Sequence, residues 1–384
     1  MSQLKTNAIR HTTATSDAIT LASDGTATAK ITNYPHHNLI INGDMRIAQR
    51  SGSMVAVSDG SNEDYQSIDR WGFSGNWGSG AVNVGQSSET PAGFAYSYHV
   101  DVTTAYAGAN GVTVQLYQKI EAQELANCGW DYTSASSYLT LSFWVKSPKT
   151  GTHAITLETY DGDSQYRVLT YSVSSANTWE KKEIQIPGGS NVTIDTNNDK
   201  GMTVYFMMTT GSDYHNTADA WDSSARFGVT GQVNVLDNTA NNFYLTGVQL
   251  EAGDTATDFS HRSYGDELAR CQRYFWMVAD GSLGSTKTIG VGFVYSSDSV
   301  KVAVFYPTTM RTEPALYQVT ATNAYQILQP GYTFDYPDEV GSFAGRINMG
   351  EFELNDDVSG LTAGQACMVR GNDAAMRLGL NAEL

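Results

Sequence analysis

Aromatic side chains in turn-rich segments are the residues of this sequence best suited to binding chemistry. They lie in stretches rich in glycine and aspartate and comprise Trp77, Trp130, Tyr132 and Trp221. A flat apolar ring with a polar rim can stack on the face of a sugar ring. We therefore predict glycan contacts at these four positions. A ring that folds back and plugs the core is an equally open alternative for each tryptophan.

Catalytic motifs are poorly represented. The chain contains no H-E-x-x-H zinc motif and no phosphate-binding P-loop, and residues 72–76 lack the last glycine of a nucleophile elbow. Asp161 and Asp163 could serve as glycosidase carboxylates only if another acid faced them, and the Asp161-Gly162 pair favours a hairpin turn. We therefore expect no enzymatic activity, with a polysaccharide depolymerase as the less favoured alternative.

The charge balance limits the partners of the chain. Its 384 residues include 23 Lys and Arg against 40 Asp and Glu, a net charge of −17. This excess of acid argues against nucleic acid and against anionic membranes as partners. No run of eighteen apolar residues is present, so we expect no membrane insertion. Cys128, Cys271 and Cys367 fit neither a disulfide framework nor a zinc site, which favours synthesis in a reducing cytoplasm.

Period-two alternation predicts a mainly β protein. Segments such as Tyr138–Val145 and Phe243–Leu250 alternate in polarity between turn clusters. We predict a jelly-roll β-sandwich over residues 35–262. Strand patterns resume after Lys287 and predict a smaller β-sandwich within residues 278–384.

One connecting helix is predicted between these domains, in residues 263–277. Ser263 followed by Asp266 resembles a capping box. An apolar stripe at helical spacing follows, made of Tyr264, Leu268, Cys271 and Phe275.

The first 34 residues form a separate segment. Ala18–Ala22 and Thr26–Ile31 flank an Asp-Gly turn, which predicts a β-hairpin. Its side chains are small, and an isolated hairpin is marginally stable. We expect residues 1–34 to be ordered against another copy of the chain or against a larger assembly.

Three motifs resemble structural proteins of tailed bacteriophages, in particular tail-fibre-like proteins of marine and cyanobacterial phages. They are Asn38–Arg50, Ile68–Phe73 and Phe243–Tyr274. The resemblance implies a virion protein made in the host cytoplasm: a trimeric tail appendage that binds other virion proteins through residues 1–34. Its β domains would then contact host surface glycans. A decoration or fibre protein on the capsid of the same virion is the alternative.

The middle of the chain is also similar to the jelly-roll carbohydrate-binding modules of glycosidases. In those modules an Asn-Gly-Asp start and the last strand lie near a structural calcium ion. The resemblance implies that Asp44 and Glu251 lie close together and could bind calcium, whereas no other cofactor is expected. Met45 and Arg46 depart from that pattern. The net charge favours a neutral glycan, because an acidic polysaccharide would be repelled.

Overall fold

The computed structural model describes residues 6–10, 12, 19–23, 25, 27–29, 37–59, 65–281, 288–331, 333–355 and 357–384. Strands dominate these residues, and all the strand pairs between them are antiparallel. The predicted mainly β class is confirmed. In this part of the chain no helix is long and apolar enough to cross a membrane.

Short strands joined by turns make up almost all of the regular structure. The strands before the main helix are β1 Ala8–Ile9, β2 Ile19–Leu21, β3 Ala27–Ala29, β4 Val55–Ser58, β5 Gly72–Gly75, β6 Ala81–Ser87, β7 Ser97–Thr104, β8 Thr113–Glu121, β9 Tyr138–Lys146, β10 Gly151–Thr159, β11 Gln165–Val173, β12 Glu180–Pro187, β13 Lys200–Thr210, β14 Trp221–Asp222 and β15 Asn242–Ala252. The later strands are β16 Phe275–Asp280, β17 Thr288–Ser296, β18 Ser299–Phe305, β19 Ala315–Val319, β20 Tyr325–Gln329, β21 Thr333–Asp335, β22 Ser342–Gly345, β23 Met349–Leu354, β24 Ala366–Gly371 and β25 Arg377–Asn381. The helices are α1 Ala122–Ala126 and α2 Tyr264–Gln272, and a 3-10 turn spans Ser212–Tyr214.

Two six-stranded sheets pack face to face in a large sandwich. The front sheet has the order β14-β11-β10-β13-β8-β5, and the back sheet has the order β12-β9-β15-β7-β6-β4. Alternate side chains of each strand point inwards and build the core. Phe206 of the front sheet meets Phe143 of the back sheet edge to face, with ring centroids 5.2 Å apart. The chain crosses repeatedly between the sheets, and the predicted jelly-roll β-sandwich is confirmed.

The Asn42-Gly43-Asp44 segment begins this sandwich and is fixed by its own polar groups. Asn42 has a left-handed backbone with φ of 58°, which asparagine tolerates better than most residues. Its side-chain amide donates to the carbonyl oxygens of Ile47 and Asp69 at 2.8 and 2.9 Å. Trp71 Nε1 donates to the Asn42 carbonyl oxygen at 3.0 Å. The two sequence motifs that contain these residues are therefore bound to each other inside the sandwich.

A smaller sandwich follows in the C-terminal part. Its seven-stranded sheet has the order β21-β20-β24-β17-β18-β23-β22, and the three-stranded sheet β16-β25-β19 packs on its inner face. Val294, Val302 and Leu378 belong to the buried apolar cluster between the two sheets. Strands β16, β20, β21 and β22 are additional to those that the sequence predicts, and the last three are only three to five residues long.

Helix α2 links the two sandwiches and begins where the sequence predicts. The Ser263 hydroxyl accepts a hydrogen bond from the Asp266 amide at 3.1 Å, which caps the first turn. The helix is shorter than the predicted 263–277, because Phe275 pairs with Asn381 at the start of β16. Sheet pairing outweighs the helical spacing of the apolar residues at this end.

Charged side chains join the two sandwiches. Arg273 binds Glu121 through two hydrogen bonds of 2.8 Å. Glu383 forms an ion pair with Arg70 and lies 3.3 Å from Arg50. We call these five residues the joint. It holds the segment after β25 against the large sandwich.

Strands β1, β2 and β3 form a small sheet near the N-terminus. Strand β2 pairs with β3 between Ile19 and Ala29 and between Leu21 and Ala27. The predicted hairpin pairing is therefore confirmed between residues 19–21 and 27–29, whereas Ala18, Asp24, Thr26, Lys30 and Ile31 of the prediction lie outside the described residues.

Candidate functional site

Trp77 lies inside the large sandwich. Its side chain is 1% exposed, and its ring centroid is 6.1 Å from that of Phe73. The Trp77 backbone amide donates to the Asp59 carboxylate at 2.9 Å. A glycan cannot reach a ring that is enclosed in this way. The predicted glycan contact at Trp77 is therefore wrong, and the alternative of a ring that plugs the core is correct.

The other three predicted aromatic residues meet at one end of the sandwich. Trp221 Nε1 donates to the Pro187 carbonyl oxygen at 3.0 Å, and the Gly189 amide donates to the Tyr132 carbonyl oxygen at 2.8 Å. Trp130 packs edge to face on Tyr132, with ring centroids 6.2 Å apart. Because Trp130 is 3% exposed, its predicted glycan contact is wrong. Tyr132 and Trp221 are partly exposed, and glycan contact there stays a prediction.

Asp44 and Glu251, the predicted calcium ligands, bind different partners. The Asp44 carboxylate lies 3.1 Å from Arg46 Nε. Burial raises the pKa of Asp44, and the charge of Arg46 opposes this rise. Glu251 accepts hydrogen bonds from the Thr257 amide and hydroxyl at 2.9 and 2.8 Å. Among the described residues, no group of three or more His, Cys, Asp and Glu side chains could hold a metal ion.

Asp161 supports a turn. Its Oδ2 accepts a hydrogen bond from the Asp195 amide at 2.9 Å, and its backbone forms an isolated β-bridge with Thr193. This carboxylate is therefore used to fix two neighbouring loops.

Outward-pointing residues of the front sheet form a cluster around the Glu158 carboxylate. Tyr160 and Tyr205 donate to Glu158 Oε2 at 2.5 and 2.8 Å, and Tyr166 donates to Oε1 at 2.8 Å. The hydroxyl oxygens of Tyr160 and Tyr205 are also 2.8 Å apart. The glutamate is buried, whereas the three tyrosines are partly exposed. We call these four residues the tyrosine face.

Strand register brings the tyrosine face together. Glu158 on β10 lies directly opposite Tyr166 on β11 and Thr203 on β13. Thr156, two residues before Glu158, lies opposite Tyr205. Residues that are opposite in register or two apart in a strand share one side of the sheet. The cluster therefore follows from the pairing of β10 with both of its neighbours.

A row of aromatic rings crosses the same side of the front sheet. Successive centroid distances are 6.0 Å from Tyr65 to Tyr117, 5.9 Å from Tyr117 to Tyr205, 5.6 Å from Tyr205 to Phe227, and 5.6 Å from Phe227 to Tyr166. The pairs are tilted or edge to face, the arrangement that the ring quadrupoles favour. The row fixes the orientation of the partly exposed tyrosines.

The phenol groups stay protonated at neutral pH and act as hydrogen-bond donors. Burial raises the pKa of Tyr166 to about 12, and the hydrogen bond to Glu158 adds to this rise. Burial also raises the pKa of Tyr160 and Tyr205, again with a contribution from the charge of Glu158. The Lys200 ammonium group lies 3.5 Å from the ring centroid of Tyr160, where its charge is attracted to the ring.

A groove runs beside the tyrosine face. It has a volume of about 570 Å³ and is lined by polar side chains of Thr170, His215 and Asn216 and by Val229. Thr170 lies on the same side of β11 as Tyr166, because four residues separate them. The groove therefore lies on the same side of the front sheet as the tyrosine face, and it has the volume of a small-ligand site.

The arrangement suits a ligand that carries both hydroxyl groups and apolar C–H faces. An ionised carboxylate has about four lone-pair positions, and the tyrosines fill three of those on Glu158. The phenol oxygens of Tyr166 and Tyr205 can still accept a hydrogen bond from a ligand, whereas the Tyr160 oxygen already accepts one from Thr203 Oγ1 at 3.1 Å. The partly exposed rings supply flat apolar surface beside these polar groups.

Comparison with known proteins gives similarity of fold alone. No family model matches the chain, and no curated protein matches it. The enzymatically active domain of tailspike protein 4 from bacteriophage CBA120 is 14% identical with a TM-score of 0.30, over 57% of this chain and 22% of that one. A candidate sugar-binding protein from Bacteroides thetaiotaomicron is 12% identical with a TM-score of 0.32, over 56% of this chain and 100% of that one. The family 11 carbohydrate-binding module of a Clostridium thermocellum cellulosomal cellulase is 13% identical with a TM-score of 0.27. This similarity covers 52% of this chain and 99% of that module.

Proposed function

We propose that the chain is a non-catalytic glycan-binding protein and that the tyrosine face is its binding surface. The observation that carries this proposal is the Glu158 carboxylate, held by three phenol hydroxyls in the middle of partly exposed rings. The rings offer stacking surface to the C–H face of a pyranose, and the oxygen network offers partners to its hydroxyl groups. With a net charge of −17, the chain favours a neutral glycan.

The state of Glu158 favours binding over catalysis. A general acid or base must exchange a proton with its substrate. Glu158 is buried and accepts from Tyr160, Tyr166 and Tyr205, so it is suited to holding a fixed surface. We therefore expect the protein not to cleave an oligosaccharide that it binds. Mass spectrometry of the oligosaccharide after prolonged incubation with the protein should show an unchanged length.

The larger role that we propose is a tail-fibre-like appendage of a bacteriophage virion, assembled as a trimer. The support is the resemblance of residues 38–50, 68–73 and 243–274 to structural proteins of tailed phages. Residues 1–34 would attach the chain to other virion proteins, and the tyrosine face would contact the host. Attachment at the capsid, as a decoration or fibre protein, is the alternative within the same virion.

Titration with neutral oligosaccharides tests the binding surface. Wild-type protein, Tyr166→Ala and Tyr205→Ala are compared by calorimetry, with Tyr264→Ala as the control because Tyr264 is an exposed tyrosine on α2. Loss of one stacking ring is expected to weaken binding about tenfold, which corresponds to about 1.4 kcal/mol. Wild-type affinity in both variants of the tyrosine face, or preference for acidic sugars without divalent ions, would overturn the proposal.

Particle analysis tests the virion role separately. Antibody labelling of intact particles, viewed by electron microscopy, is expected to mark the tail. Deletion of residues 1–34 is expected to leave soluble protein that no longer joins the particle. Label on the capsid would support the alternative, and absence of the chain from purified particles would exclude both.

A further inference from the structure

The outer side of the seven-stranded sheet is unusually apolar. Six of the fourteen exposed large hydrophobic side chains in the described residues lie on its strands, namely Val291, Phe293, Tyr295, Phe305, Phe334 and Met349. Val291 is 68% exposed and Phe305 is 74% exposed. Isolated exposed hydrophobic residues are common, but a contiguous patch of this kind marks an interaction surface.

Strand register makes these residues contiguous. Phe334 lies opposite Leu328, Leu328 lies opposite Met368, and Met368 lies opposite Val291. This row crosses four strands, from β21 to β17. A second row pairs Phe293 with Ala366, and the ring of Tyr295 lies 6.4 Å from that of Phe293. We call this outer side of the sheet the apolar face.

The charges on the apolar face cancel. The charged residues at outward positions of β24, β17, β18 and β23 are two cations, Lys301 and Arg370, and two anions, Glu351 and Glu353. Lys301 Nζ lies 2.8 Å from Glu351 and 3.9 Å from Glu353. A chain with a net charge of −17 repels other copies of itself over most of its surface. The apolar face is a place where two copies can meet without burying like charges.

The size of the apolar face is adequate for a stable contact. Seven strands spaced about 4.8 Å apart span about 29 Å, and strands of about six residues are about 20 Å long. The projected area is therefore about 600 Å², and the accessible area of its protruding side chains is larger. A standard interface buries about 800 Å² on each partner. A groove of about 560 Å³ between Val291, Pro330 and Met368 gives the surface relief that interlocking side chains need.

We propose that the apolar face is the interface through which copies of this chain associate, with the face of one copy packed on the same face of another. Two sheets can stack about 10 Å apart when their facing side chains interlock. In such a two-fold contact every residue pair occurs twice, once in each direction, so that the apolar rows of one copy pack on the apolar rows of the other. This proposal does not depend on glycan binding at the tyrosine face. It joins copies in pairs, so the trimer proposed for the virion would use a different contact.

Sedimentation equilibrium of the full chain at micromolar concentration tests the interface. Wild-type protein is expected to have the mass of two copies, because a contact between identical faces joins copies in pairs. The double variant Val291→Lys and Phe293→Lys is expected to have the mass of one copy, with the dissociation constant raised at least a hundredfold. Tyr264→Lys is the control, because it adds a lysine at an exposed aromatic position outside the face. It should keep the wild-type mass.

Further measurements separate this interface from other outcomes. Circular dichroism of the double variant should match that of wild type, and hydrogen exchange in β17 of wild type should accelerate on dilution. A chain without residues 1–34 should still associate. A wild-type mass of one copy, or a double variant that associates normally while loss of residues 1–34 abolishes association, would overturn the proposal.

Discussion

The outer sides of the two sandwiches use aromatic residues in opposite ways. On the tyrosine face the phenol hydroxyls are bound to a buried carboxylate, so the polar groups are part of the fold. On the apolar face Phe293 and Phe305 project into solvent and have no polar group to bind. The first surface is pre-organised by internal hydrogen bonds, whereas the second leaves apolar area to be covered by a partner.

This contrast predicts which substitutions change the stability of the isolated chain and which change only its association. A residue that is bonded into the fold affects both stability and binding when it changes, because its partners lose their bonds. A residue that contacts only solvent affects association and leaves the isolated chain almost unchanged. Three substitutions and one change of pH should therefore differ in how strongly they alter stability and association.

Removal of the Glu158 carboxylate should have the largest effect. Glu158→Ala leaves three tyrosine hydroxyls without their acceptor, and each partly buried group left unsatisfied costs about 1–3 kcal/mol. Because Tyr160 and Tyr205 can bond to each other, we expect a total loss of about 3 kcal/mol in the free energy of unfolding, measured in urea. Glu351→Ala on the apolar face is the control and should cost less than about 1 kcal/mol, since its ion pair is exposed. Equal losses of unfolding free energy in Glu158→Ala and Glu351→Ala would contradict the proposed difference between the two faces.

The sequence contains part of the information that builds the tyrosine face. Alternation along β10 predicts that Glu158 and Tyr160 share one side, and the Asp161-Gly162 turn predicts that Tyr166 folds back beside them. The third tyrosine, Tyr205, is 47 residues from Glu158 and reaches it only because β13 pairs with β10. Which distant strands become neighbours is a property of the whole sandwich, and the sequence analysis therefore missed the cluster.

The buried rings of Trp77 and Trp130 show a second feature that the sequence alone does not predict. Glycine and aspartate around Trp77 and Trp130 correctly indicate turns. In such turns the backbone is solvated, and the large apolar side chain can point into the core while the chain stays at the surface. Turn residues therefore predict the position of the backbone but not the direction of the ring.

A change of pH tests Asp69, which lies 3.8 Å from Arg50 of the joint and outside both faces. Burial raises the pKa of Asp69 to about 6, and Arg50 and Gln49 oppose this rise. An unfolded aspartate titrates near pH 3.9, so the folded state binds the proton more tightly. Stability is therefore lost as pH rises from about 4 to about 6, by about 2 kcal/mol. Between pH 4.5 and 6.5, the unfolding free energy of wild type should fall by about 2 kcal/mol more than that of Asp69→Asn. Parallel pH profiles of the two proteins would contradict the prediction.

A methyl group at Gly72 tests whether the aromatic row orients the tyrosine face. A Cβ atom at Gly72 would lie 2.3 Å from the ring of Tyr117, which is buried and packs against Tyr205. Overpacking of this kind costs about 1–3 kcal/mol. We expect Gly72→Ala to lose about 1–2 kcal/mol of stability and to bind neutral oligosaccharides more weakly. Gly265→Ala, at a helical glycine with open space, is the control and should retain both properties.

The smallest change in unfolding free energy is expected for a substitution of Val291. A small change there would show that this side chain is not packed within a single chain. Val291→Thr keeps a β-branched shape and replaces a methyl group with a hydroxyl that water can reach, since the side chain is 68% exposed. At nanomolar concentration, where copies are separated, its unfolding free energy should stay within about 0.5 kcal/mol of wild type. Val294→Thr makes the same chemical change on the same strand, but there the side chain is fully buried in the small sandwich. The hydroxyl then has to leave water, and a loss of about 1–3 kcal/mol is expected. Equal effects at the two positions in dilute solution would mean that the apolar face is already packed within a single chain, and the contrast between the two faces would fail.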